Sequence, residues 1–372
     1  MRIGVNARVL GKAHFEGVGR YTHELVKHMS MDHPNDEFIL YVDQNNIDLS
    51  DYGDNVICRN LRVPAKHPLL WKLWFQYLLP WTTKRDLVDV FFSPEGMLGK
   101  NMEMPTVMTT HDLVFERYPH LVKYSHAKYH RRHSAKSHQT ADHIVAVSNF
   151  TKNEIIDLYG LEADRISVIH NGCSEEFYPL NDVVIDDFSS DNNIDYKYFL
   201  HLGSLHPRKN IVKLIEGFEH FKNLGNCEYK LVLAGRLAWL SDGISAKIRD
   251  SEYEGDIIQL DYYTGDLNAL INAAELVIYP SLYEGFGLPV LEAMSAGTPV
   301  ITSRQSAMGE VAMEAALYVD SDDIEAIALA MNQIISNQEL KERLIDAGLK
   351  RSKHFDWKST ARQTYDCMKG VL

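Results

Sequence analysis

Short β-rich apolar runs alternate with helical stretches along this chain, and they do so in two successive series. In the first half, residues 2–6, 38–42, 88–92, 106–109 and 143–147 read as strands, with a helix over 18–29. In the second half, 198–203, 230–234, 257–260, 276–280 and 299–302 repeat the pattern. Short strands separated by ten or more helical residues require crossover connections, which indicates parallel sheets of the doubly wound type. With 372 residues, 45% of them hydrophobic, the chain can build two separate cores. The boundary is expected after His170-Asn171-Gly172, in the stretch NDVVIDDFSSDNNID, which is acidic, buries little apolar surface and reads as a linker or surface loop. This predicts domains over 1–175 and 176–356, followed by an amphipathic helix over 357–372. A single dinucleotide-binding domain of the dehydrogenase kind would carry G-x-G-x-x-G after its first strand. The loop here, Gly17-Val18-Gly19-Arg20-Tyr21-Thr22, lacks the third glycine.

The most specific segment is YEGFGLPVLEAM. Glu284 and Glu292 stand eight positions apart, with Gly285, Phe286, Gly287, Leu288 and Pro289 between them. An apolar strand precedes this loop, a helix ending at Gly297 follows, and another strand comes next. Glycines permit close backbone approach to a ligand, and the free N–H groups of a helix start favour an anion. Glu284 stands on the loop, and Glu292 about one turn into the helix. An acid beside each end of a phosphate-linked ligand fits a sugar nucleotide. A solvated glycine turn is the simpler reading of either glycine alone, but not of the two acids and two glycines together.

Composition narrows the alternatives. A net charge of −13 and a sequence pI of about 5.7 argue against a general nucleic-acid binder. No apolar stretch approaches the ~18 residues of a spanning helix. The opening MRIGVNARVLG reads as a strand, without the charged start and apolar run of a secretory signal. Cys58, Cys173, Cys227 and Cys367 have neither metal-like nor redox spacing, as suits reduced thiols in a cytosolic protein.

YEGFGLPVLEAM resembles the E-x7-E motif of the retaining glycosyltransferases of family 4, and the resemblance extends over most of the chain. It is weakest between about Asp182 and Lys197. It implies the GT-B fold, two Rossmann-like parallel-sheet domains facing a central cleft, with the terminal helix packing back on the first. It further implies that Glu284 approaches the transferred hexose and Glu292 holds the nucleotide ribose. In HLGSLHPRKN, the family's arginine and lysine follow the strand glycine. Gly203 matches that glycine and Lys209 the lysine, whereas Ser204 stands where the arginine is often found, with Arg208 as a candidate substitute. Two cations at a strand-to-helix junction suit a diphosphate that gains charge as it leaves.

The remaining positions follow from strand ends and resemblance together. His111, in TTHDLVF, lies after a parallel strand and corresponds to a family histidine that contacts the sugar near its reacting carbon. Gly19 opens a helix in the first half; Gly235 with Arg236, and Tyr262, lie after second-half strands where the base would be read. The expected catalytic set is His111, Glu284 and Lys209. The donor site would add Gly19, Gly203, Ser204, Arg208, Gly235, Arg236, Tyr262, Gly285, Phe286, Gly287, Leu288 and Glu292. Ser148 and the Asp320-Ser321-Asp322 pattern read as helix caps, and no metal or cofactor is expected. The basic stretch 123–143 reads as a helix with a solvated face, and WKLWFQYLLPW chiefly as a buried helix ended by Pro80. Peripheral contact with the inner face of a membrane is a smaller expectation for these two segments.

The expected reaction is transfer of a hexose, with retention, from a nucleoside-diphosphate sugar to a glycan or lipid-linked acceptor. The wording FGLPVLEAMSAGTPVITS, with PRKN and HDLVF, resembles bacterial mannosyltransferases of polysaccharide assembly, which makes GDP-mannose the preferred donor. UDP-glucose or another UDP-hexose is the alternative. A sugar-nucleotide 2-epimerase and an inactive sugar-nucleotide-binding module rank below both.

Overall fold

A computed structural model describes residues 1–11, 17–44, 47–63, 68–261 and 263–372. The described residues form two compact units. The first contains Met1–Leu113, Lys128–Gly172 and Phe355–Leu372. Its seven strands are β1 (Arg2–Asn6), β2 (Glu37–Val42), β3 (Val56–Asn60), β4 (Val90–Ser93), β5 (Thr106–Thr110), β6 (His143–Ala146) and β7 (Ile166–Val168). They pair in the order β3-β2-β1-β4-β5-β6-β7, parallel throughout. The second unit contains Val114–Ala127 and Cys173–His354. It holds β8 (Lys197–Leu202), β9 (Tyr229–Ala234), β10 (Ile257–Leu260), β11 (Leu276–Tyr279), β12 (Val300–Ser303) and β13 (Ala316–Val319). Their order is β10-β9-β8-β11-β12-β13, again parallel.

The continuous apolar runs have a direct cause. Helices cover both faces of a parallel sheet, so successive side chains are buried on either side. Every residue of β4, β5, β11 and β12 is buried. Phe199, Leu231, Leu233 and Ile278 pack against Phe218 and Phe221 of the helix Ile211–Asn223 to form the second core. In the first sheet, the strands missing from the sequence reading are β3 and β7. Both lie at the edges of the first sheet, and β3, with one buried residue in five, carries a weak apolar signal.

Three expectations need correction. The stretch expected to be a linker contains a helix, Asp182–Asp191, within the second unit. Asn181 caps it by accepting from Val184 N–H at 3.1 Å, and Asp182 favours the first turn. Val114–Ala127, expected in the first domain, groups with the second unit: Trp239 Nε1 donates to Leu121 O at 3.0 Å, and Tyr118 meets Tyr283 edge-on at 5.5 Å. Pro80 does not end its helix but lies in the first turn of Leu79–Arg85, after a π-helical turn over Trp74–Leu78, where its missing N–H is tolerated. That run is only half buried: Trp74 and Phe75 face the core, while Tyr77 and Trp81 are 57% and 60% exposed.

The terminal helix Trp357–Gly370 belongs to the first unit. Tyr365 stacks on His33 at 3.6 Å, and Thr360 Oγ1 donates to His170 O at 2.7 Å. The expected caps are distributed slightly differently from the reading. Ser148 accepts from Thr151 N–H at 3.0 Å. The helix Ile324–Ser336 is capped by Asp323, while Asp320 ties the preceding turn through Asp322 N–H.

Candidate functional site

In the second sheet the strand order reverses between β8 and β11, and the crevice beyond the carboxyl ends of such a strand pair is where open α/β sheets bind ligands. The loops leaving these two strands carry Lys209 and Glu284. After β8 the chain passes Gly203 and Ser204, makes a 3-10 turn over Pro207–Lys209, and enters the helix Ile211–Asn223 through Asn210. Asn210 Nδ2 donates to Pro280 O at 3.3 Å and Ser321 O at 2.6 Å, and Leu282 N–H donates to Arg208 O at 2.9 Å. The two loops are thereby clamped together.

Lys209 and Glu284 are both buried, and Lys209 Nζ donates to Glu284 Oε1 at 2.6 Å. The ammonium also meets the Tyr279 hydroxyl and lies 4.5 Å from the centroid of that ring. Arg208 approaches the other carboxylate oxygen at 3.8 Å. Burial alone would raise the Glu284 pKa, but Arg208 and Lys209 outweigh it and hold the group down at about 2. The backbone of Glu284 is fixed as well: its N–H donates to Ser306 Oγ at 3.1 Å, and its carbonyl accepts from Ala307 N–H at 3.2 Å.

The loop then turns through Gly287, at φ +105°, into the helix Leu288–Ala296. That backbone value strains any residue with a Cβ, and Gly287 offers the helix start no capping side chain, while its carbonyl accepts from Val290 N–H at 3.0 Å. Phe286 is buried, and Glu292 is buried inside the helix. Gly235, after β9, is required for a different reason: a Cβ there would stand 2.0 Å from Gly203 O. Gly203 and Gly235 thus bring the ends of β8 and β9 together, with Ser204 and Arg236 beside them, both partly exposed. Tyr262 lies outside the described residues.

In the first unit, His111 follows β5. Its Nε2–H donates to Pro94 O at 2.8 Å, and its ring meets Tyr21 edge-on at 4.8 Å. Burial lowers its pKa, which favours a neutral ring whose Nδ1 is an acceptor. Gly19 is buried near the start of the helix Gly17–Asp32.

Comparison with known proteins decides the family. Residues 15–177 match the family described as Glycosyltransferase Family 4, and residues 184–351 match Glycosyl transferases group 1. The chain is 30% identical over 366 residues to the O-antigen chain mannosyltransferase B of Escherichia coli, covering 95% of this chain and 96% of that one. This chain belongs to glycosyltransferase family 4. It is also 27% identical to the O-antigen chain mannosyltransferase RfbU of Salmonella typhimurium, over 86% of this chain and 82% of the other. The crystal structure of Anabaena Alr3699/HepE in complex with UDP-glucose superposes with a TM-score of 0.79 at 16% identity, covering all of both chains. That likeness gives this family 4 glycosyltransferase the GT-B fold.

Several residues of this glycosyltransferase's two units escaped the sequence reading. Tyr279 ends β11 as one more apolar strand residue, yet its hydroxyl faces Lys209 and Glu284. His206 stacks on Trp239 at 4.4 Å; burial, with Lys209 and Arg208 nearby, pulls its pKa down to about 3. In the first unit Asn6 Nδ2 donates to Glu95 Oε1 at 3.2 Å, and Glu95 also pairs with Arg8. No local pattern distinguishes these residues, because most of their contacts, Lys209–Tyr279, His206–Trp239 and Asn6–Glu95 among them, join segments distant in sequence. Among the described residues, no group of three or more His, Cys, Asp or Glu is arranged to hold a metal ion.

Proposed function

We propose that this glycosyltransferase moves mannose, with retention of configuration, from GDP-mannose to a glycan or lipid-linked acceptor. A UDP-hexose is the alternative donor. The observation that carries the reading is the buried Lys209–Glu284 pair, set beside the Gly287 turn where the second sheet reverses its strand order. The mannosyltransferase relatives favour the sugar, and the Anabaena complex with UDP-glucose favours a nucleotide-linked donor.

In this reading Lys209, Arg208 and the amides of Gly285, Phe286, Gly287 and Leu288 face the diphosphate. Glu292 faces the ribose and Glu284 the hexose. As the bond from the sugar's anomeric carbon to the diphosphate oxygen breaks, negative charge grows on the diphosphate, where fixed cations and N–H groups lower the barrier most. The acceptor hydroxyl bonds to the anomeric carbon on the face the diphosphate leaves, and its proton passes to a diphosphate oxygen. No covalent intermediate on Glu284 is required. Gly19 and His111, in the first unit, are assigned to the distal phosphate or acceptor and to the sugar by resemblance. The cations assigned to the leaving group are side chains, so transfer is expected to continue in EDTA.

A panel of labelled nucleoside-diphosphate sugars, incubated with and without EDTA, tests the reading. Transfer or hydrolysis of GDP-mannose in both conditions is expected. An isomerised donor would indicate an epimerase, binding alone an inactive module, and loss in EDTA with rescue by manganese or magnesium a metal-dependent transferase.

We also propose a cytoplasmic protein that reaches lipid-linked acceptors by peripheral contact with the membrane. Among the described residues no helix is long and apolar enough to cross one. Leu73, Tyr77 and Trp81 are exposed along one helical run, and Trp71 of that run packs against Tyr129 of the helix Tyr124–Thr140. Lys72, Arg132 and Lys136 all act on His133 beside them, so apolar and cationic groups adjoin on an otherwise acidic chain. Flotation with vesicles containing anionic phosphatidylglycerol should recover the protein, and the double variant Tyr77→Ser/Trp81→Ser should reduce recovery. Equal recovery of both proteins would remove this run from the contact.

A further inference from the structure

Beneath the Lys209–Glu284 pair lies a second layer that the proposed reaction does not use. Tyr279 is fully buried at the end of β11, and its hydroxyl meets both members of the pair: Lys209 Nζ directly, and Glu284 Oε1 at 3.4 Å. The Tyr279 ring also stacks on His201, with centroids 5.3 Å apart and planes at 12°. His201 is itself immobilised, because its Nδ1–H donates to Ile278 O at 3.0 Å. Burial, with Lys209 adding to it, lowers the pKa of this imidazole to about 4, so the ring supporting Tyr279 is neutral.

We propose that Tyr279 is a positioning residue, its hydroxyl holding the Lys209 ammonium and the Glu284 carboxylate in one fixed arrangement for the departing diphosphate. The hydroxyl has the two functions this requires. Its oxygen accepts from the ammonium, and its hydrogen is then available to the carboxylate. Burial first, and the Glu284 charge second, raise the phenol pKa, so the hydrogen stays in place throughout the neutral range. A lysine side chain has four rotatable carbons, and a single contact to Glu284 leaves it freedom to swing about that contact. A second anchor behind it removes this freedom before the donor arrives, which is where preorganisation contributes to rate. The ring provides packing against His201 and the cation–π contact to Lys209, while the hydroxyl provides direction.

The inference rests on the proposed assignment of Lys209 and Glu284 to the donor, and Tyr279→Phe separates the two ideas. This variant keeps the ring, its stacking and the cation–π contact, and removes only the hydroxyl. Thermal unfolding is measured first. Saturating-donor turnover and donor affinity are then compared with wild type on the most active donor of the panel. The expected result is a turnover lower by about tenfold, as for one hydrogen bond to a charged group, with donor affinity changed less. Glu284 loses a donor, so its carboxyl pKa is expected to move up; ¹³C-glutamate spectra, with Glu284→Gln assigning the signal, read this without any substrate. Equal turnover together with an unmoved Glu284 titration overturns the proposal. If wild type transfers from no donor, the functional reading fails by itself, and the Glu284 titration in Tyr279→Phe still decides whether the hydroxyl holds the pair.

Discussion

Glu284 shows how a residue's surroundings determine its chemistry. A carboxylate in a buried site is costly unless cations compensate it, and here Lys209 and Arg208 do so. The sign of the pH dependence follows. The folded-state pKa lies below the ordinary value of 4.5, at about 2, so the pair's contribution to stability is full above the ordinary value and fades as pH falls towards 2. Glu284→Gln leaves the Lys209 charge buried without its partner, and the variant should be less stable than wild type at neutral pH. Urea midpoints measured from pH 7 down to pH 3 should show the gap narrowing once pH drops below about 4.5. A constant gap would mean that Glu284 carries no paired charge. The two acids of the motif should also differ in kinetics. Glu284→Gln should depress turnover more than donor affinity, because its contact strengthens as the glycosidic bond breaks. Glu292→Gln should chiefly raise the donor dissociation constant. Calorimetric binding and saturating rates separate the two, and the reverse pattern would exchange their roles.

At the scale of elements, loops rather than helices or strands limit what substitutions the site accepts. Gly235 and Gly243 make a paired test. A Cβ on Gly235 meets Gly203 O at 2.0 Å, whereas one on Gly243, in the helix Asp242–Arg249, meets nothing within 4 Å. Gly235→Ala should therefore cost ~1–3 kcal/mol in denaturant stability and weaken nucleotide binding, because backbone must shift. Gly243→Ala should stabilise by roughly 0.4–1 kcal/mol, because alanine restricts the unfolded chain at a first-turn position with room for its Cβ. Similar effects at both positions would contradict the close approach of the β8 and β9 loops. Both sheets were legible as alternating apolar runs, as was the strand, glycine turn and helix order around Glu284. Edge strand β3 and the helix Asp182–Asp191 were not, since one buries a single residue and the other none. Solvated elements carry little periodic apolar signal, and the local cap at Asn181 was outweighed by the acidic composition around it.

Across the whole molecule, chain order and unit membership diverge. Trp357 returns to the first unit after the second is complete, and it is buried against Gly172, where a Cβ would stand 2.3 Å from its backbone nitrogen. Trp357→Ala should lower the first unit's stability by ~3–5 kcal/mol, seen as an earlier unfolding step in calorimetry. An unchanged thermogram would show that the terminal helix docks without this anchor. The amino-acid sequence by itself determined the two parallel-sheet units, the glycine loop with its two acids, and membership in the family, because these depend on periodicity and on motifs contiguous in the chain. Only the tertiary structure decided that Val114–Ala127 joins the second unit, that Tyr77 and Trp81 face outward, and that Tyr279 and His201 stand behind Lys209 and Glu284. The physical reason is the switch in strand order: it sets β8 beside β11, more than seventy residues apart, so contacts between their loops are properties of sheet pairing that no local stretch of sequence records.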